Sequence, residues 1–471
     1  MRVQQIYTGC LAHAAYYIES NGEAAIFDPL REVQPYIDRA EQDGATIKYV
    51  FETHFHADFV SGHLNLKDKT GATIVFGPTA KPDYEAVIGE DGQEFKVGKY
   101  TVRLLHTPGH TMESSTYLLI DENGKEHGII TGDTLFIGDV GRPDLAQHVI
   151  SELTEEKLAG HLYDSLRNKI MPLADDLIVY PNHGAGSACG KKMSTETTDT
   201  LGHQKKTNYA LRADMTKKEF INELLDGLTS PPAYFPQNVL MNIRGYDSVD
   251  EVMARGMTPL KADIFEAVAE GTHALILDTR DAEDFAKGFI PNSVNIGLNG
   301  SFAQWVGEMI PDVKQEILLV CEPGAETEAV TRLSRVGYDF ALGFLVGGFE
   351  SWKNAGKEID KVVRLSNSEF EKVYADVKPL LIDVRKKSEF DAQHVIGALN
   401  IPLNTLNKRL DAFPTERTFV LQCVSGYRSM IAASILKQRG WNSMADVIGG
   451  MNAIRETKVP LSEYIEPTSL L

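Results

Sequence analysis

Three metal-ligating side chains alternate along one short stretch of the sequence. His54, His56 and Asp58 stand two residues apart and follow the apolar run Ile47–Phe51. That run predicts a buried strand. On a turn that leaves a strand end, this spacing can aim several ligating atoms at one point. We therefore interpret the stretch as part of a metal site.

Three further side chains of the same kind occur later in the chain. His110 lies in Thr-Pro-Gly-His-Thr, Asp133 in Thr-Gly-Asp-Thr and His183 in Asn-His-Gly. Each one lies at the end of a short apolar run and beside a turn-forming residue. Loops that leave strands commonly carry the chemistry of a domain. The sequence therefore predicts that these side chains join the first group.

The residues alone leave two ligand sets open. Three imidazoles, from His54, His56 and His110, would suit Zn²⁺ and a hydrolytic water. Two imidazoles and one carboxylate, from His54, His110 and Asp133, would suit non-haem Fe(II) with open positions. Residue types and spacing do not decide between zinc and iron.

The order of these motifs resembles the metallo-β-lactamase superfamily, whose fold is an αββα sandwich. Phe59 is a departure from the pattern of its binuclear zinc hydrolases, such as the glyoxalase II type, which carry histidine directly after the aspartate. That histidine helps to build a second metal site, and phenylalanine cannot ligate. The resemblance therefore implies one metal ion.

Within the superfamily, the chain resembles the persulfide dioxygenase branch. This resemblance implies one Fe(II) per chain, held by His54, His110 and Asp133. The other polar side chains of the set would then orient ligands or substrate; they are His56, Asp58 and His183. Cys189 follows in a glycine-rich turn, and we interpret it as a candidate contact for the sulfur of the substrate.

A second reactive group lies near the C-terminal end of the sequence. Cys423 follows the apolar run Phe419–Gln422 and precedes an apolar helical segment. Backbone N–H groups and a helix N-terminus at such a position favour an anionic sulfur. Arg428 adds positive charge that can bind an anionic substrate. The loop, which also contains Gly426 and Ser429, resembles the rhodanese (sulfurtransferase) site, and the resemblance implies that Cys423 carries a persulfide.

The same half of the chain contains an internal repeat. Leu275–Arg280 matches Leu380–Arg385, and Leu318–Cys321 aligns with Val420–Cys423. Each copy alternates apolar runs with amphipathic segments, which predicts a parallel α/β domain. The first copy has Glu326 where the second has Arg428. Nearby carboxylates oppose an anionic sulfur, so we interpret the copy around Cys321 as degenerate for transfer, with a role for Cys321 left open.

These patterns predict a multidomain α/β chain: an αββα sandwich followed by two rhodanese-like parallel α/β domains. The predicted domains are residues 1–245, 259–362 and 363–471. A connecting region spans about 216–258, and its proline-rich stretch Ser230–Pro236 predicts a break. Its aromatic residues would also suit a cover over a substrate channel.

Composition narrows the possible partners. The chain has 471 residues and a net charge of −19, which argues against nucleic acid. No apolar stretch is long enough to span a bilayer, and the first residues lack an apolar signal core. We therefore expect no membrane association and a cytoplasmic protein. A homo-oligomer is expected, because the proteins it resembles form them.

The resemblance implies oxidation of a low-molecular-weight thiol persulfide by O₂ to sulfite and thiol. Cys423 would then transfer sulfane sulfur to sulfite and give thiosulfate. One alternative is a zinc hydrolase of thioesters, of the glyoxalase II type, with rhodanese modules attached. Another is a sulfur-binding or sensing protein without turnover, in which Cys423 stores a persulfide.

Overall fold

The computed structural model describes residues 2–145, 154–228 and 230–465. The described residues form two compact units. The first contains the chain up to Val249 together with Ser334–Gly337, and the second contains the rest. No helix in the described ranges is both long enough and apolar enough to cross a membrane.

Two mixed sheets form the first unit over its described residues. The strands of the first sheet are hydrogen-bonded in chain order: β1 (Val3–Thr8), β2 (His13–Ser20), β3 (Glu23–Phe27), β4 (Thr46–Phe51), β5 (Thr73–Phe76) and β6 (Val87–Ile88). The second sheet runs in reverse chain order from β12 to β7: β7 (Glu94–Val97), β8 (Tyr100–His106), β9 (Ser115–Ile120), β10 (Glu126–Gly132), β11 (Ile178–Pro181) and β12 (Asp199–Thr200).

The described part of this unit has six α-helices, most of which pack on the outer faces of the sheets. They are α1 (Gln34–Gln42), α2 (His63–Thr70), α3 (Glu155–Ser165), α4 (Leu201–Thr207), α5 (Lys217–Leu225) and α6 (Phe235–Arg244). A π-helical turn, Leu166–Ile170, continues α3, and a short 3₁₀ turn spans Tyr209–Leu211.

Alternation along the strands builds three apolar layers. Tyr16 of β2 and Leu119 of β9 face each other in the core between the two sheets. Ala15 points the other way, into a layer shared with α1 and α2. Leu118 likewise packs against α3 and α5. Successive strand side chains face opposite sides of a sheet, so this arrangement confirms the predicted αββα sandwich.

Two parallel sheets follow in the second unit. The first has the order β13-β17-β16-β14-β15: β13 (Pro259–Leu260), β14 (Leu275–Asp278), β15 (Val294–Asn295), β16 (Ile317–Val320) and β17 (Ala341–Leu345). The second has the order β18-β22-β21-β19-β20: β18 (Val363–Leu365), β19 (Leu380–Asp383), β20 (Leu399–Asn400), β21 (Phe419–Gln422) and β22 (Met444–Val447). The identical strand order confirms that the repeat is a duplicated α/β domain.

The described residues of this half contain ten α-helices, and four helices of the first copy have counterparts at equivalent positions of the second. The ten helices are α7 (Val249–Gly256), α8 (Ala262–Thr272), α9 (Ala282–Lys287), α10 (Phe302–Met309), α11 (Glu326–Arg335), α12 (Gly348–Asn354), α13 (Asn367–Val377), α14 (Lys387–Ala392), α15 (Tyr427–Gln438) and α16 (Gly450–Ile454). Short 3₁₀ turns span Leu403–Lys408 and Leu410–Ala412.

The first copy supports α15, the helix that begins directly after the Cys423 loop. The Asn295 N–H of β15 donates to Ser434 Oγ on α15 at 2.9 Å. At the start of α15, Tyr427 Oη donates to the carbonyl oxygen of Gly297 at 2.7 Å. A Cβ atom at Gly300 would lie 2.7 Å from the Tyr427 ring. The first copy therefore fixes both the start and the middle of the helix.

The connecting region is more regular than the sequence indicates. Lys217–Leu225 is helical, and the proline-rich stretch does separate it from the next helix. Pro236, however, lies in the first turn of α6. Proline fits there, since the first helical N–H groups have no intrahelical partner and its φ suits a helix.

Candidate functional site

Three of the predicted ligands converge from loops that follow β4, β8 and β10. The ligating atoms of His54, His110 and Asp133 lie within 4.8 Å of one another, and all three side chains are buried. His110 Nε2 is 3.4 Å from Asp133 Oδ2, and His54 Nε2 is 4.0 Å from the same oxygen. Two imidazoles and a carboxylate thus face a common point.

Hydrogen bonds orient both imidazoles so that Nε2 faces this point. His110 Nδ1 lies 2.7 Å from the carbonyl oxygen of Arg142, which can only accept, so Nδ1 carries the proton. His54 Nδ1 lies 2.9 Å from Thr53 Oγ1, whose own proton is directed to Asp28. Both rings are therefore held in the tautomer that leaves Nε2 as a lone-pair donor, as is usual for histidine ligands.

The carboxylate of Asp133 also fits a cation. Neither of its oxygens has a hydrogen-bond partner among the described residues, and both are buried. A buried unpaired carboxylate is costly unless it is neutralised or coordinates a metal. These donors fit a divalent ion such as Fe(II) or Zn²⁺.

Asp58 and His183 form a second group with Cys189 next to the first. Their ligating atoms also lie within 4.8 Å of one another. His183 Nε2 is 3.5 Å from Asp58 Oδ2 and 3.5 Å from Asp133 Oδ1. Burial, with added repulsion from Asp58 and Asp133, raises the pKa of the Cys189 thiol well above its usual value. Phe59 cannot ligate, but Cys189 brings a third donor that the sequence did not associate with this position.

His56 points its Nε2 away from the first group. This nitrogen lies 3.0 Å from Asp28 Oδ1 and 3.4 Å from Glu52 Oε2, and all three side chains are buried. Nδ1 of His56 has no partner within the described part of the chain. His56 therefore joins a buried charge cluster, while one of its nitrogens stays available.

A helix distant in sequence holds the loop that carries these residues. Asn242 on α6 donates through Nδ2 to the carbonyl oxygens of His56 and Phe59, both at 2.8 Å. Its Oδ1 accepts from the Ser61 N–H at 2.9 Å. Tyr234 Oη donates to the carbonyl oxygen of Asp58 at 3.3 Å. In these contacts, the region that we considered as a channel cover fixes the backbone of the metal loop.

The Cys423 loop places sulfur among hydrogen-bond donors. Cys423 is 1% exposed. Its Sγ accepts from the Gly426 N–H at 3.2 Å and from Ser429 Oγ at 3.6 Å. Gly426 has φ 102°, a left-handed conformation that side chains rarely adopt. The three predicted loop residues, Cys423, Gly426 and Ser429, therefore meet at the sulfur atom.

Arg428 is ion-paired in this loop. Both of its terminal nitrogens bind the carboxylate of Glu389, at 2.7 and 2.8 Å. Burial alone would raise the pKa of Glu389, but these bonds lower it. The predicted anion-binding residue thus has its guanidinium fork occupied by a carboxylate.

In the corresponding loop of the first copy, the backbone amide donates to a side-chain carboxylate and not to sulfur. The Gly324 N–H, at the position of Gly426, donates to Glu326 Oε2 at 2.8 Å. Burial raises the pKa of the Cys321 thiol to about 12, and Asp278, Glu326 and Glu322 add to the effect. The carboxylate of Glu326 thus occupies a donor that binds sulfur in the second copy, which supports the interpretation of this copy as degenerate.

Sequence reasoning missed several residues that shape these sites. Asn242 and Glu389 lie far along the chain from the loops that they contact, and no local pattern marks them. Arg364 and Asp446, which pair beside the Cys423 loop, differ in type from their counterparts in the first copy. A comparison of the two copies at every position would have indicated them.

The comparisons with known proteins agree with this architecture. The model of the metallo-beta-lactamase superfamily matches residues 8–183, and the model of the rhodanese-like domain matches residues 261–355 and 366–457. A solved structure of a metallo-beta-lactamase from Staphylococcus aureus is 31% identical, with a TM-score of 0.64. That match covers 73% of this chain and 98% of the other.

Curated relatives match part of the chain. A probable hydroxyacylglutathione hydrolase of Schizosaccharomyces pombe is 27% identical over 38% of this chain. A hydroxyacylglutathione hydrolase of Brucella anthropi is 39% identical over 30% of this chain. The chain spans 66% and 48% of the lengths of these two relatives. With the family models and the Staphylococcus structure, these matches lead to one assignment: the chain belongs to the metallo-beta-lactamase superfamily, and two rhodanese-like domains follow its metallo-beta-lactamase domain.

Proposed function

We propose that this protein is a non-haem Fe(II) persulfide dioxygenase coupled to a sulfurtransferase. It oxidises a low-molecular-weight thiol persulfide with O₂ and water to sulfite and free thiol. It then transfers sulfur from a second persulfide to sulfite and releases thiosulfate. The cytoplasm is the proposed compartment. The observation that carries this proposal is a buried set of two histidines and one carboxylate on the same chain as a rhodanese-type cysteine loop.

His54, His110 and Asp133 are the proposed holders of one Fe(II). When bound there, the ion supplies open coordination positions for O₂ and sulfur chemistry. The surrounding residues orient the ligands and the substrate and exclude water. Thr53 and the Arg142 carbonyl fix the imidazole tautomers, and burial keeps the site dry. His183, Asp58 and Cys189 lie together beside these ligands, and we assign the first two to orient the substrate and the Cys189 thiol to contact its sulfur.

Cys423 performs the transfer step. Its thiolate attacks the sulfane sulfur of a donor persulfide, the S–S bond of the donor breaks, and the donor thiolate leaves. The Cys423 persulfide that results is then attacked by the sulfur of sulfite. Its S–S bond breaks, thiosulfate departs, and Cys423 returns as thiolate. Gly426 and Ser429 stabilise the anionic sulfur through the hydrogen bonds that they donate.

The first test is O₂ consumption by iron-loaded protein that is given glutathione persulfide or coenzyme A persulfide. We expect uptake in proportion to iron content. Asp133→Ala removes the only carboxylate of the proposed set and should lower both iron content and O₂ uptake, the latter by at least about a hundred-fold. Protein that holds iron but consumes no O₂ with either persulfide would overturn the proposal.

A zinc thioester hydrolase is the second candidate, and two observations favour it. The curated relatives are hydroxyacylglutathione hydrolases, and Nδ1 of His56 has no partner within the described residues. A three-imidazole site with His54, His56 and His110 would use that nitrogen. This candidate predicts bound zinc, hydrolysis of thioesters and no O₂ uptake.

His56→Asn separates the two ligand sets. If Asp133 completes the site, iron content should remain near one per chain, because His56 contributes no ligand. If His56 completes it, metal content should fall with the substitution. Metal analysis of the purified variant gives the answer. Circular dichroism on the same sample serves as the control, because Asp28 and Glu52 lose a buried partner.

A further inference from the structure

We propose that Arg364 binds the dianionic sulfur acceptor at the Cys423 site and so helps to select and position it. The inference rests on the proposed sulfurtransferase function, and it adds Arg364 to Arg428 as a second cation of that site. Arg364 lies on β18, outside the cysteine loop, and pairs in register with Asp446 of β22. A Cβ atom at Gly426 would lie 2.9 Å from Arg364 Nη2, so the guanidinium touches the loop at the residue whose N–H binds sulfur.

The transfer step needs more positive charge than Arg428 supplies. A persulfide anion and sulfite together bring three negative charges to one loop. Arg428 directs both terminal nitrogens to Glu389. Arg364 instead binds a single oxygen of Asp446, through Nε and Nη2 at 2.9 Å each. Its Nη1 makes no hydrogen bond within the described chain and can therefore donate to an anion beside the loop.

Asp446 holds this arginine in place. Its side chain is fully buried, and Oδ1 has no hydrogen-bond partner in the part of the chain that the structure describes. Burial raises the pKa of Asp446 to about 6, while Arg364 and Ser429 act to lower it. At neutral pH the carboxylate is therefore mostly ionised, and it fixes Arg364 next to the loop.

The duplicated domain provides an internal control for this assignment. The same ion pair between a strand-end aspartate and an arginine occurs in both copies, as Asp278–Arg280 and Asp383–Arg385, with Nη2–Oδ2 distances of 2.6 Å in each. A pair that both copies keep serves the fold. The pair of Arg364 and Asp446, by contrast, occurs in the second copy and is not kept at the equivalent positions of the first.

The first copy lacks this second pair. Pro259 and Phe344 pair in register on β13 and β17, at the positions of Arg364 and Asp446. The first copy thus folds without the pair, and it has also replaced Arg428 by Glu326. The first copy thus lacks the counterparts of both Arg364 and Arg428. In this copy the loop amide of Gly324 donates to the Glu326 carboxylate instead. This pattern is expected if Arg364 serves the transfer chemistry rather than the fold.

The test uses the full chain with a persulfide preloaded on Cys423 from glutathione persulfide, followed by addition of sulfite. Arg364→Gln should raise the KM for sulfite at least about ten-fold, while sulfur loading of Cys423, measured by mass spectrometry, stays within about two-fold. Arg364→Lys should recover most of the affinity. Because a charged contact is lost, the KM of Arg364→Gln should depend less on ionic strength than that of the unmodified chain.

Arg439→Gln is the matched control, since it removes the same charge at the far end of α15. An equal KM for sulfite in the two glutamine variants would overturn the assignment of Arg364. If the Arg364→Gln variant fails to fold, the Arg364→Lys variant decides. Its single ammonium group cannot bind Asp446 and sulfite with the fork geometry of arginine, so the KM for sulfite should stay about three-fold above that of the unmodified chain, whereas a purely structural arginine predicts an unchanged KM. If the unmodified chain loads sulfur but never yields thiosulfate from sulfite, the proposed sulfurtransferase function itself fails.

Discussion

Glu326 and Arg428 occupy equivalent positions in two loops of the same fold and give them opposite character. In the second copy, the loop amide of Gly426 donates to sulfur. In the first copy, the equivalent amide of Gly324 donates to the Glu326 carboxylate. A carboxylate in that place fills the donor and repels an anionic substrate. One residue therefore accounts for much of the expected difference in reactivity between Cys321 and Cys423.

Glu326→Arg should partly restore sulfur loading of Cys321. The substitution frees the Gly324 amide, removes one of the carboxylates that raise the pKa of Cys321 and adds a cation. At pH 8 a thiol with a pKa of about 12 is almost wholly protonated, so we expect little loading in the unmodified chain. After treatment with glutathione persulfide, peptide mass spectrometry should show at least about ten-fold more persulfide on Cys321.

Glu328→Arg is the control for this experiment, because Glu328 is exposed on the same helix and makes an ion pair with Arg332. It changes the net charge equally without touching the loop amide. If both variants load Cys321 to the same extent, the local role of Glu326 is wrong and general charge explains the effect.

Helix α6 acts on the metal site through one side chain. Asn242 is buried and satisfies three backbone groups of the loop from His56 to Ser61. Three hydrogen bonds of this kind stabilise a fold by about 3 kcal/mol in total. This loop carries Asp58 and directly continues the stretch that carries His54, so α6 supports the candidate site although it lies far away in sequence.

Asn242→Ala should lower the free energy of unfolding by about 3 kcal/mol, because it leaves two carbonyl groups and one N–H group unsatisfied. We also expect iron affinity to fall by about ten-fold, as for other residues that orient ligands. Chemical denaturation and titration with a chelator measure the two effects. Gln237→Ala, an exposed change on the same helix, should alter neither. Iron affinity equal to that of the unmodified chain would refute the role of Asn242 in the site.

The parts of this molecule that depend on local pattern were predictable. The strand Thr46–Phe51 follows from an apolar run, and the duplicated α/β domains follow from the repeat. The grouping of His54, His110 and Asp133 was expected as one of two sets. The contacts of Asn242 and Glu389 were not predictable, since they depend on tertiary packing that brings distant segments together. Cys189 was noticed, but its place beside Asp58 and His183 required the fold.

At the scale of the whole molecule, the proposed function joins two chemistries in which the product of one is a substrate of the other. The proposed first site consumes a persulfide and releases sulfite. The proposed second site consumes another persulfide together with that sulfite. The sum is two persulfides, one O₂ and one water giving two thiols, one thiosulfate and two protons, in which atoms and charge balance. The stoichiometry of the intact protein therefore reports whether both sites work.

The unmodified chain should consume two molecules of persulfide for each O₂ and release thiosulfate with little sulfite. Cys423→Ser should change this ratio to one persulfide for each O₂, with sulfite accumulating in place of thiosulfate, because only the oxidation remains. An oxygen electrode together with chromatography of the sulfur anions measures all the quantities in one sample. Thiosulfate at the unmodified yield from Cys423→Ser would show that this cysteine does not carry the transferred sulfur.

Mixing Cys423→Ser with Asp133→Ala tests how sulfite passes between the two chemistries. Sulfite is a small anion that diffuses freely, so the mixture should form thiosulfate again, with the first variant supplying sulfite and the second supplying Cys423. Asp133→Ala alone should consume no O₂ and form thiosulfate only when sulfite is added. If added sulfite supports transfer by Asp133→Ala but the mixture forms no thiosulfate, free sulfite does not link the two steps, and oxidation and transfer must then occur on the same chain.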